Sequence, residues 1–219
     1  MKDIIINDDC FEVFKQLSDN SVDTVFTSPP HNRKRNDKYK YFDDKANNYF
    51  EFLCQVTRQC LRVAKNYVII NIQKNYYNKR DVFKYIGEFS DRIVEIIIWE
   101  KSNPMPASGY SITNAYEFFI VLGNRPLKSN HTYTKNVITS SVNSNMPKNH
   151  KAVMKQEICD WFVNNFTKQG ELIFDPFVGV GTTAISCMTN NRHYLGVEIV
   201  KEYYDMAVEN ITRRNDERI

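Results

Sequence analysis

Seven short runs rich in aliphatic, β-branched and aromatic residues are spread along the chain, and most are continuous rather than alternating. A strand with one face in water alternates apolar and polar residues, whereas a strand covered by helices on both faces does not. The runs therefore predict a mostly parallel, seven-stranded sheet between two layers of helices. They occupy residues 4–6, 22–27, 67–72, 93–99, 118–122, 172–174 and 194–199.

Helical spacing of apolar residues falls between some of these runs, at 49–63, 155–166 and 182–188. This alternation predicts a three-layer, Rossmann-like α/β fold. The length of 219 residues suits a single domain covering 1–219. Two segments lack such patterns, a loop at about 31–48 and a loop-rich insertion at about 123–149.

Composition excludes several classes of protein. No apolar run approaches the roughly 18 residues that span a bilayer, and the N-terminus lacks a signal-peptide pattern, so a cytoplasmic protein is expected. The five cysteines and four histidines are dispersed without metal-ligand spacing, which argues against a disulfide framework or a metal site. The net charge of +3 is too small to identify a partner.

Residues 175–183 read Asp-Pro-Phe-Val-Gly-Val-Gly-Thr-Thr and lie between a predicted strand and a predicted helix. Glycines let a backbone approach a ligand or adopt positive φ, and a helix N-terminus offers free N–H groups. Glu198, 17 residues after Gly181, is placed to hold ribose hydroxyls. A bulky residue at Gly181 is expected to abolish cofactor binding and leave the fold intact. The competing interpretation is a plain strand-to-helix turn.

Residues 28–31 read Ser-Pro-Pro-His and follow the predicted strand 22–27. Ser28 and Pro29 both precede a proline, which disfavours helical geometry, and the two rings fix φ. The predicted result is a stiff corner that aims the Ser28 hydroxyl and the Pro29 carbonyl at one point. Two such acceptors suit the hydrogens of an exocyclic base amine, and His31 offers a flat face for stacking. An ordinary proline turn with a surface histidine is the alternative.

Together the two motifs resemble those of the S-adenosylmethionine-dependent DNA amino-methyltransferases. The catalytic motif precedes the cofactor motif, which is similar to the circularly permuted order of their β group. The resemblance implies their seven-stranded fold, S-adenosylmethionine as cofactor, and methyl transfer to a flipped base in double-stranded DNA. It also implies a restriction-modification context, with a homodimer and a cognate restriction endonuclease as expected partners.

The resemblance implies a role for each matching residue. The catalytic residues would be Ser28, Pro29, Pro30 and His31. Residues 8–10 are similar to an N-terminal segment that contacts the cofactor adenine, and residues 103–106 and 113–117 are similar to a segment near the target base. The cofactor-binding residues would be Asp9, Cys10, Asp175, Phe177, Gly179, Gly181, Thr182, Thr183, Glu198 and, from a weaker match, His150.

Serine in the first catalytic position is typical of family members that act on N4 of cytosine, whereas aspartate is typical of those acting on N6 of adenine. The resemblance therefore favours cytosine N4, with adenine N6 as the alternative. Methylation at cytosine C5 is disfavoured because no cysteine here follows a proline. His31 replaces the usual aromatic residue, which leaves a catalytically weak DNA-binding subunit as a further alternative. A nucleotide-linked oxidoreductase is disfavoured because Ala184 interrupts G-x-G-x-x-G.

A basic cluster follows the catalytic motif directly. Beside a base-binding site such a cluster is expected to contact phosphates, although a solvated loop is the alternative. The predicted DNA-binding residues are Arg33, Lys34, Arg35, Lys38 and Lys40. The short insertion at 123–149 is the expected target-recognition region, which predicts a short recognition sequence.

Overall fold

A computed structural model of the chain describes residues 1–34, 44–107, 109, 111–141 and 153–216. The strands are β1 (Ile4–Ile6), β2 (Val22–Thr27), β3 (Ala64–Ile72), β4 (Ile93–Lys101), β5 (Tyr116–Gly123), β6 (Val137–Ser140), β7 (Leu172–Asp175) and β8 (His193–Val197). The helices are α1 (Cys10–Gln16), α2 (Tyr49–Val63), α3 (Lys79–Glu88), α4 (Gln156–Phe166), α5 (Thr182–Thr189) and α6 (Lys201–Asp216).

The strands form one sheet in the order β1-β8-β7-β2-β3-β5-β4-β6. Strand β5 is antiparallel to β3 and β4, and the other pairings are parallel. Helices α1, α2 and α3 pack on one face of the sheet, and α4, α5 and α6 pack on the other. Successive residues of β2 pack on opposite faces of the sheet: Val25 lies in the core beneath α1, α2 and α3, and Phe26 lies in the core beneath α4, α5 and α6. Burial on both faces explains why the strand sequences do not alternate.

The predicted fold class is confirmed, and the structure differs from three details of the prediction. The sheet has eight strands because β6 lies inside the segment predicted to be a loop-rich insertion. Its alternate residues are exposed, so it lacks the continuous apolar signal. Helices α1, α3 and α6 were not expected, and α6 is strongly polar. Strand β8 ends at Val197, so Glu198 follows the strand and does not belong to it.

The order of the strands creates a crevice between β2 and β7. From β2 the chain crosses one face through α2 to reach β3, whereas from β7 it crosses the other face through α5 to reach β8. Helices therefore diverge at the carboxyl ends of these two neighbouring strands. In open α/β sheets this is where ligands bind. The two sequence motifs follow these two strand ends.

Within the described ranges, no helix has the length and apolar character needed to cross a membrane. The same residues contain no group of three or more His, Cys, Asp or Glu side chains arranged to hold a metal ion.

Candidate active site

One cavity of about 710 Å³ opens at the carboxyl edge of the sheet, between the ends of β2 and β7. Its volume falls within the range of sites for small molecules and cofactors. Residues from both sequence motifs line it, so the fold brings together segments far apart in the chain. Predicted site residues in the wall are Asp9, Cys10, Ser28, Pro30, His31, Arg33, Asp175, Phe177, Gly179, Thr182, Thr183 and Glu198.

A buried asparagine fixes the Ser28 hydroxyl. Ser28 Oγ donates to Asn71 Oδ1 at 3.0 Å, and Asn71 Nδ2 donates to the Phe118 carbonyl at 3.2 Å. The second bond sets the orientation of the amide, so its oxygen faces Ser28. Because the hydroxyl proton is committed to Asn71, the lone pairs of Ser28 Oγ remain available to accept hydrogen bonds in the cavity.

The rest of the proline corner is held from its backbone. The His31 carbonyl accepts from Asn75 Nδ2 at 2.9 Å and from Asn78 Nδ2 at 2.7 Å. Pro30 lines the cavity, whereas Pro29 is buried and is not among the described lining residues. Two amide donors on one carbonyl therefore lock the end of the corner against the N-terminus of α3.

His31 lies inside the cavity wall, only 6% exposed, so it is not a surface turn residue. Burial lowers the pKa of its imidazole, and Glu117 and Asp44 oppose this shift. The ring is therefore neutral near pH 7. Its Nδ1 is buried and has no hydrogen-bond partner among the described residues. A neutral ring with an unused nitrogen is suited to stacking on, or bonding to, a molecule in the cavity.

The basic segment after the corner is only partly described. Asp44 anchors its start, since Oδ1 accepts from the Asn32 amide at 2.7 Å and Oδ2 from the Arg33 amide at 2.9 Å. Arg33 is half-buried and donates to Gln73 Oε1 at 3.0 Å, so it faces the cavity mouth. Lys34 is exposed. The other predicted DNA-binding residues lie outside the described residues, namely Arg35, Lys38 and Lys40.

Asp175 joins the two motifs. Its Oδ1 accepts from Thr27 Oγ1 at 2.6 Å and from the Phe177 amide at 3.0 Å, and its Oδ2 accepts from Thr183 Oγ1 at 2.7 Å. The carboxyl is buried, and burial raises its pKa. These bonds connect the end of β2 to the glycine-containing turn after β7 and to the start of α5. Asp175 thus braces the cavity from within, although the sequence suggested a direct role in binding the cofactor.

Gly179 and Gly181, in the turn between β7 and α5, are required for different structural reasons. Gly179 has φ +55° and lines the cavity. Gly181 has φ +92°, and a Cβ there would lie 3.3 Å from both Cα and Cβ of Ala207 in α6. The expectation that a bulky residue at Gly181 leaves the fold intact is therefore wrong, because both the backbone angle and the contact with α6 oppose a side chain.

Glu198 caps the turn from the adjacent strand end. Its Oε2 accepts from the Gly179 amide at 3.0 Å and its Oε1 from the Val200 amide at 2.9 Å. Burial raises the pKa of this carboxyl to about 7, although the two backbone bonds oppose the shift. Each oxygen keeps a further lone pair. The carboxylate lines the cavity and can accept hydrogen bonds from a ligand's hydroxyls.

The N-terminal segment closes the same end of the cavity. Asp9 is the N-cap of α1 and its Oδ1 accepts from the Phe11 amide at 2.8 Å. Cys10 follows it, and burial raises the pKa of the Cys10 thiol to about 12, with a smaller contribution from Asp9. The thiol is therefore protonated near neutral pH. His150 lies outside the described residues.

Sequence reasoning did not single out Asn71 or Lys101, which support the site from neighbouring strands, whereas Asn114 and Glu117 lie in the segment 113–117 that was expected near the target base. Asn71 interrupts an otherwise apolar run in β3, and this was the available signal. Lys101 and Glu117 form a buried ion pair in the cavity wall, at the ends of β4 and β5 that face the cavity. Asn114 also lines the cavity, and its Oδ1 is buried without a hydrogen-bond partner among the described residues.

Comparisons with known proteins find a matching family model and similar sequences. A family model described as DNA methylase, of the N6/N4 methyltransferase type, matches residues 22–209. The Type II methyltransferase M2.DpnII of Streptococcus pneumoniae is 25% identical, over 98% of this chain and 91% of its own length. The Type II methyltransferase M.HinfI of Haemophilus influenzae is 24% identical, over 93% of this chain and 66% of its own length.

Solved structures show the same fold. The PvuII DNA methyltransferase (cytosine-N4-specific) superposes with a TM-score of 0.77 at 15% identity, covering 97% of this chain and 90% of its own. The complex of M1.HpyAVI with S-adenosylmethionine gives a TM-score of 0.68 at 21% identity, covering 94% of this chain and 98% of its own.

Proposed function

Because the chain belongs to the N6/N4 DNA methylase family, the S-adenosylmethionine-dependent amino-methyltransferases of restriction-modification systems, we propose that it methylates N4 of cytosine in double-stranded DNA. The observation that carries the proposal is the fixed Ser28 hydroxyl. It presents an acceptor inside a cavity whose other wall is the glycine turn and Glu198.

The cofactor end of the cavity suits S-adenosylmethionine. Gly179 has no side chain, so a ligand can approach its backbone closely. Glu198 supplies a buried acceptor for ribose hydroxyls, and Asp9 supplies a carboxylate on the N-terminal side of the cavity. When bound, the cofactor supplies an electrophilic methyl group on a sulfonium. The assignment of Asp9, Cys10, Phe177, Gly179, Thr182, Thr183, Glu198 and His150 to this site is part of the proposal.

In the proposed reaction, Ser28 and the Pro29 carbonyl hold the exocyclic amine of the target base. The lone pair of an exocyclic amine is delocalised into the base, so acceptors that grip its hydrogens favour a pyramidal nitrogen with a freed lone pair. They also stabilise the positive charge that develops on this nitrogen. Asn71 is an amide and takes no proton, so the pair of Ser28 and Asn71 orients the amine and is not a base. The proton leaves after methyl transfer.

His31 is proposed to stack on the flipped base. Its ring is neutral and buried, so stacking of His31 adds no charge beside a nitrogen that gains positive charge. Flipping costs a few kcal/mol, which contacts inside the pocket must offset. The imidazole offers less area than a phenyl ring, and its unpartnered Nδ1 adds a polar contact.

The choice of cytosine rests on Ser28 in the first catalytic position. The test is expression in a host that lacks DNA methylation, followed by nucleoside mass spectrometry and by sequencing that reports modified bases in context. We expect N4-methylcytosine within a short sequence. N6-methyladenine would overturn the base assignment and keep the mechanism, whereas unmodified DNA would favour a DNA-binding subunit without activity.

The affinity for S-adenosylmethionine is expected to fall as the pH falls from about 8 to about 6, by up to about tenfold per unit below the Glu198 pKa. Burial raises that pKa to about 7, so the carboxyl becomes protonated in this range. Ribose hydroxyls donate to the ionised form, and the sulfonium charge also favours it. Binding therefore lowers the pKa and weakens as protons are added. Calorimetry across this pH range measures the effect.

Glu198→Gln is the matched control because it removes the titrating group from the same position. This variant should bind more weakly at pH 8 and show a flat profile. A wild-type dissociation constant that does not change between these pH values would exclude ionised Glu198 from the binding site.

The basic segment after the corner is proposed to bind phosphates. Arg33 is committed to Gln73, so the test uses the triple variant Lys34→Gln, Arg35→Gln and Lys38→Gln. Its affinity should fall for all DNA sequences, and the slope of log K against log salt should drop by roughly one unit per lost phosphate contact. Electrophoretic or fluorescence titrations at several salt concentrations measure both quantities.

A control with the same loss of charge uses Lys2→Gln, Lys65→Gln and Lys168→Gln, which lie where strands β1, β3 and β7 begin, at the opposite edge of the sheet. This variant should keep the wild-type slope. Equal slopes for the two triple variants would mean that the segment is a solvated loop. A homodimer and a cognate restriction endonuclease remain predictions, and sedimentation velocity tests the first.

A further inference from the structure

A buried ion pair forms part of the cavity wall beside the proposed base site. Lys101 Nζ donates to Glu117 Oε1, and both side chains are only 9% exposed. Removing two charges from water costs several kcal/mol per ion, so a buried pair is weak evidence for a gain in stability. Because this ion pair faces a ligand cavity, its burial is better explained by a role in binding the ligand.

The sheet places this pair next to the Ser28 hydroxyl. Asn71, which holds Ser28, is paired with Phe119 across β3 and β5. Glu117 lies two residues from Phe119 on the same strand and therefore points to the same face, about 7 Å along the strand. Glu117 is in turn paired with Trp99 of β4, and Lys101 lies two residues beyond Trp99. Asn71, Glu117 and Lys101 thus line one face of the sheet at its carboxyl edge.

Two further observations place the charges at the base site. The Lys101 ammonium lies 5.2 Å from the centre of the Trp99 ring, which also lines the cavity. The charges of both residues act on the His31 imidazole. Burial lowers the pKa of His31, Glu117 raises it, and Lys101 lowers it. Lys101 is therefore close to the residue proposed to stack on the base.

The ammonium has hydrogen-bond donors to spare. It carries three N–H groups, and Glu117 is the one hydrogen-bond acceptor that the described residues supply. A flipped base is recognised by hydrogen bonds to its Watson–Crick edge. In both cytosine and adenine the ring nitrogen beside the amine is an acceptor, N3 in the first and N1 in the second.

We propose that Lys101, positioned by Glu117, donates a hydrogen bond to the ring nitrogen beside the target amine. This inference rests on the proposed function and gives the base its orientation: Ser28 holds the amine while Lys101 holds the adjacent ring atom. It applies equally to cytosine and adenine.

The test removes the ring nitrogen and keeps the amine. Duplexes that carry the recognised sequence are made with cytosine or 3-deazacytosine at the target, or with adenine and 1-deazaadenine if the target is adenine. The wild type is expected to lose at least about tenfold in kcat/KM on the deaza base, because a buried donor is left without its acceptor. The variant Lys101→Met/Glu117→Leu is measured on the same duplexes, since an apolar pair can replace a buried ion pair without loss of stability.

The variant should be slower on the natural base, and its penalty on the deaza base should be at least about fivefold smaller than the wild-type penalty. The intrinsic effect of the deaza atom is common to both proteins and cancels in the ratio of the two penalties. Affinity for S-adenosylmethionine reports its folding, and Lys101→Met with Glu117→Gln provides a second neutral pair. A full wild-type penalty in the variants, or no penalty in the wild type, would overturn the inference alone. If the wild type does not methylate the natural duplex, the proposed function fails, and the inference fails with it.

Discussion

Replacing Ser28 with alanine is expected to lower the rate of methyl transfer by about 100- to 1000-fold, the loss typical for one fixed acceptor or donor aimed at a developing charge. The hydroxyl is held by Asn71 before the base arrives, so it needs no reorganisation during the reaction. Affinity for S-adenosylmethionine should stay within about twofold, because the contact acts on the amine in the transition state. Single-turnover rates at saturating cofactor, with calorimetry for binding, separate these effects.

Two further variants give this prediction its controls. Ser18→Ala removes a hydroxyl from an exposed position and should leave the rate unchanged. Asn71→Leu keeps the Ser28 hydroxyl and frees its rotation, so the rate should fall by about tenfold, less than in Ser28→Ala. A wild-type single-turnover rate in Ser28→Ala would remove Ser28 from the reaction. A wild-type rate in Asn71→Leu would limit Asn71 to packing.

The sequence predicted the parts of the fold that carry a strong local signal. Strand β2 and helix α2 were predicted with their correct bounds, because a run rich in β-branched residues and a clear helical period need no tertiary information. Strand β6 has four residues in a polar segment and is defined by its pairing with β4. Helix α6 is polar over most of its length and buries few side chains, so its amphipathic signal is weak.

The candidate site divides in the same way. Its two motifs were visible because proline and glycine at fixed spacing have local consequences for the backbone. Asn71 and Lys101 were not predicted, and Glu117 was predicted only as part of the segment 113–117, because the roles of all three depend on which strands are neighbours and in what register. A sequence shows that these residues are polar within apolar strands. It does not show that three different strands bring them to one cavity.

Asp175 is the clearest case of a motif residue whose role the structure changes. Its position in the glycine motif suggested a contact with the cofactor. In the structure its two oxygens accept from Thr27, Phe177 and Thr183. Thr27 directly precedes Ser28, and Thr183 lies in the first turn of α5. One buried carboxyl therefore sets the distance between the acceptor for the amine and the loop proposed to hold the methyl donor.

Replacing Asp175 with alanine is expected to lower the free energy of unfolding by about 3–6 kcal/mol, since three buried donors lose their acceptor at about 1–2 kcal/mol each. Small domains are stable by only about 5–15 kcal/mol, so this variant should be largely unfolded or near its midpoint at 37 °C. Binding of S-adenosylmethionine should be lost with it. Urea denaturation followed by circular dichroism gives the free energy, and calorimetry gives the binding.

Thr27→Val and Thr183→Val separate the two arms of the brace. Each removes one donor and keeps the shape of the side chain, so each should cost about 1–2 kcal/mol in the wild type and much less in the Asp175→Ala background. Thr27→Val should also slow methyl transfer, because it loosens the strand end that carries Ser28, while Thr183→Val should weaken cofactor binding through the start of α5. If Asp175→Ala unfolds within about 1 kcal/mol of the wild type, the carboxyl does not hold the two motifs together.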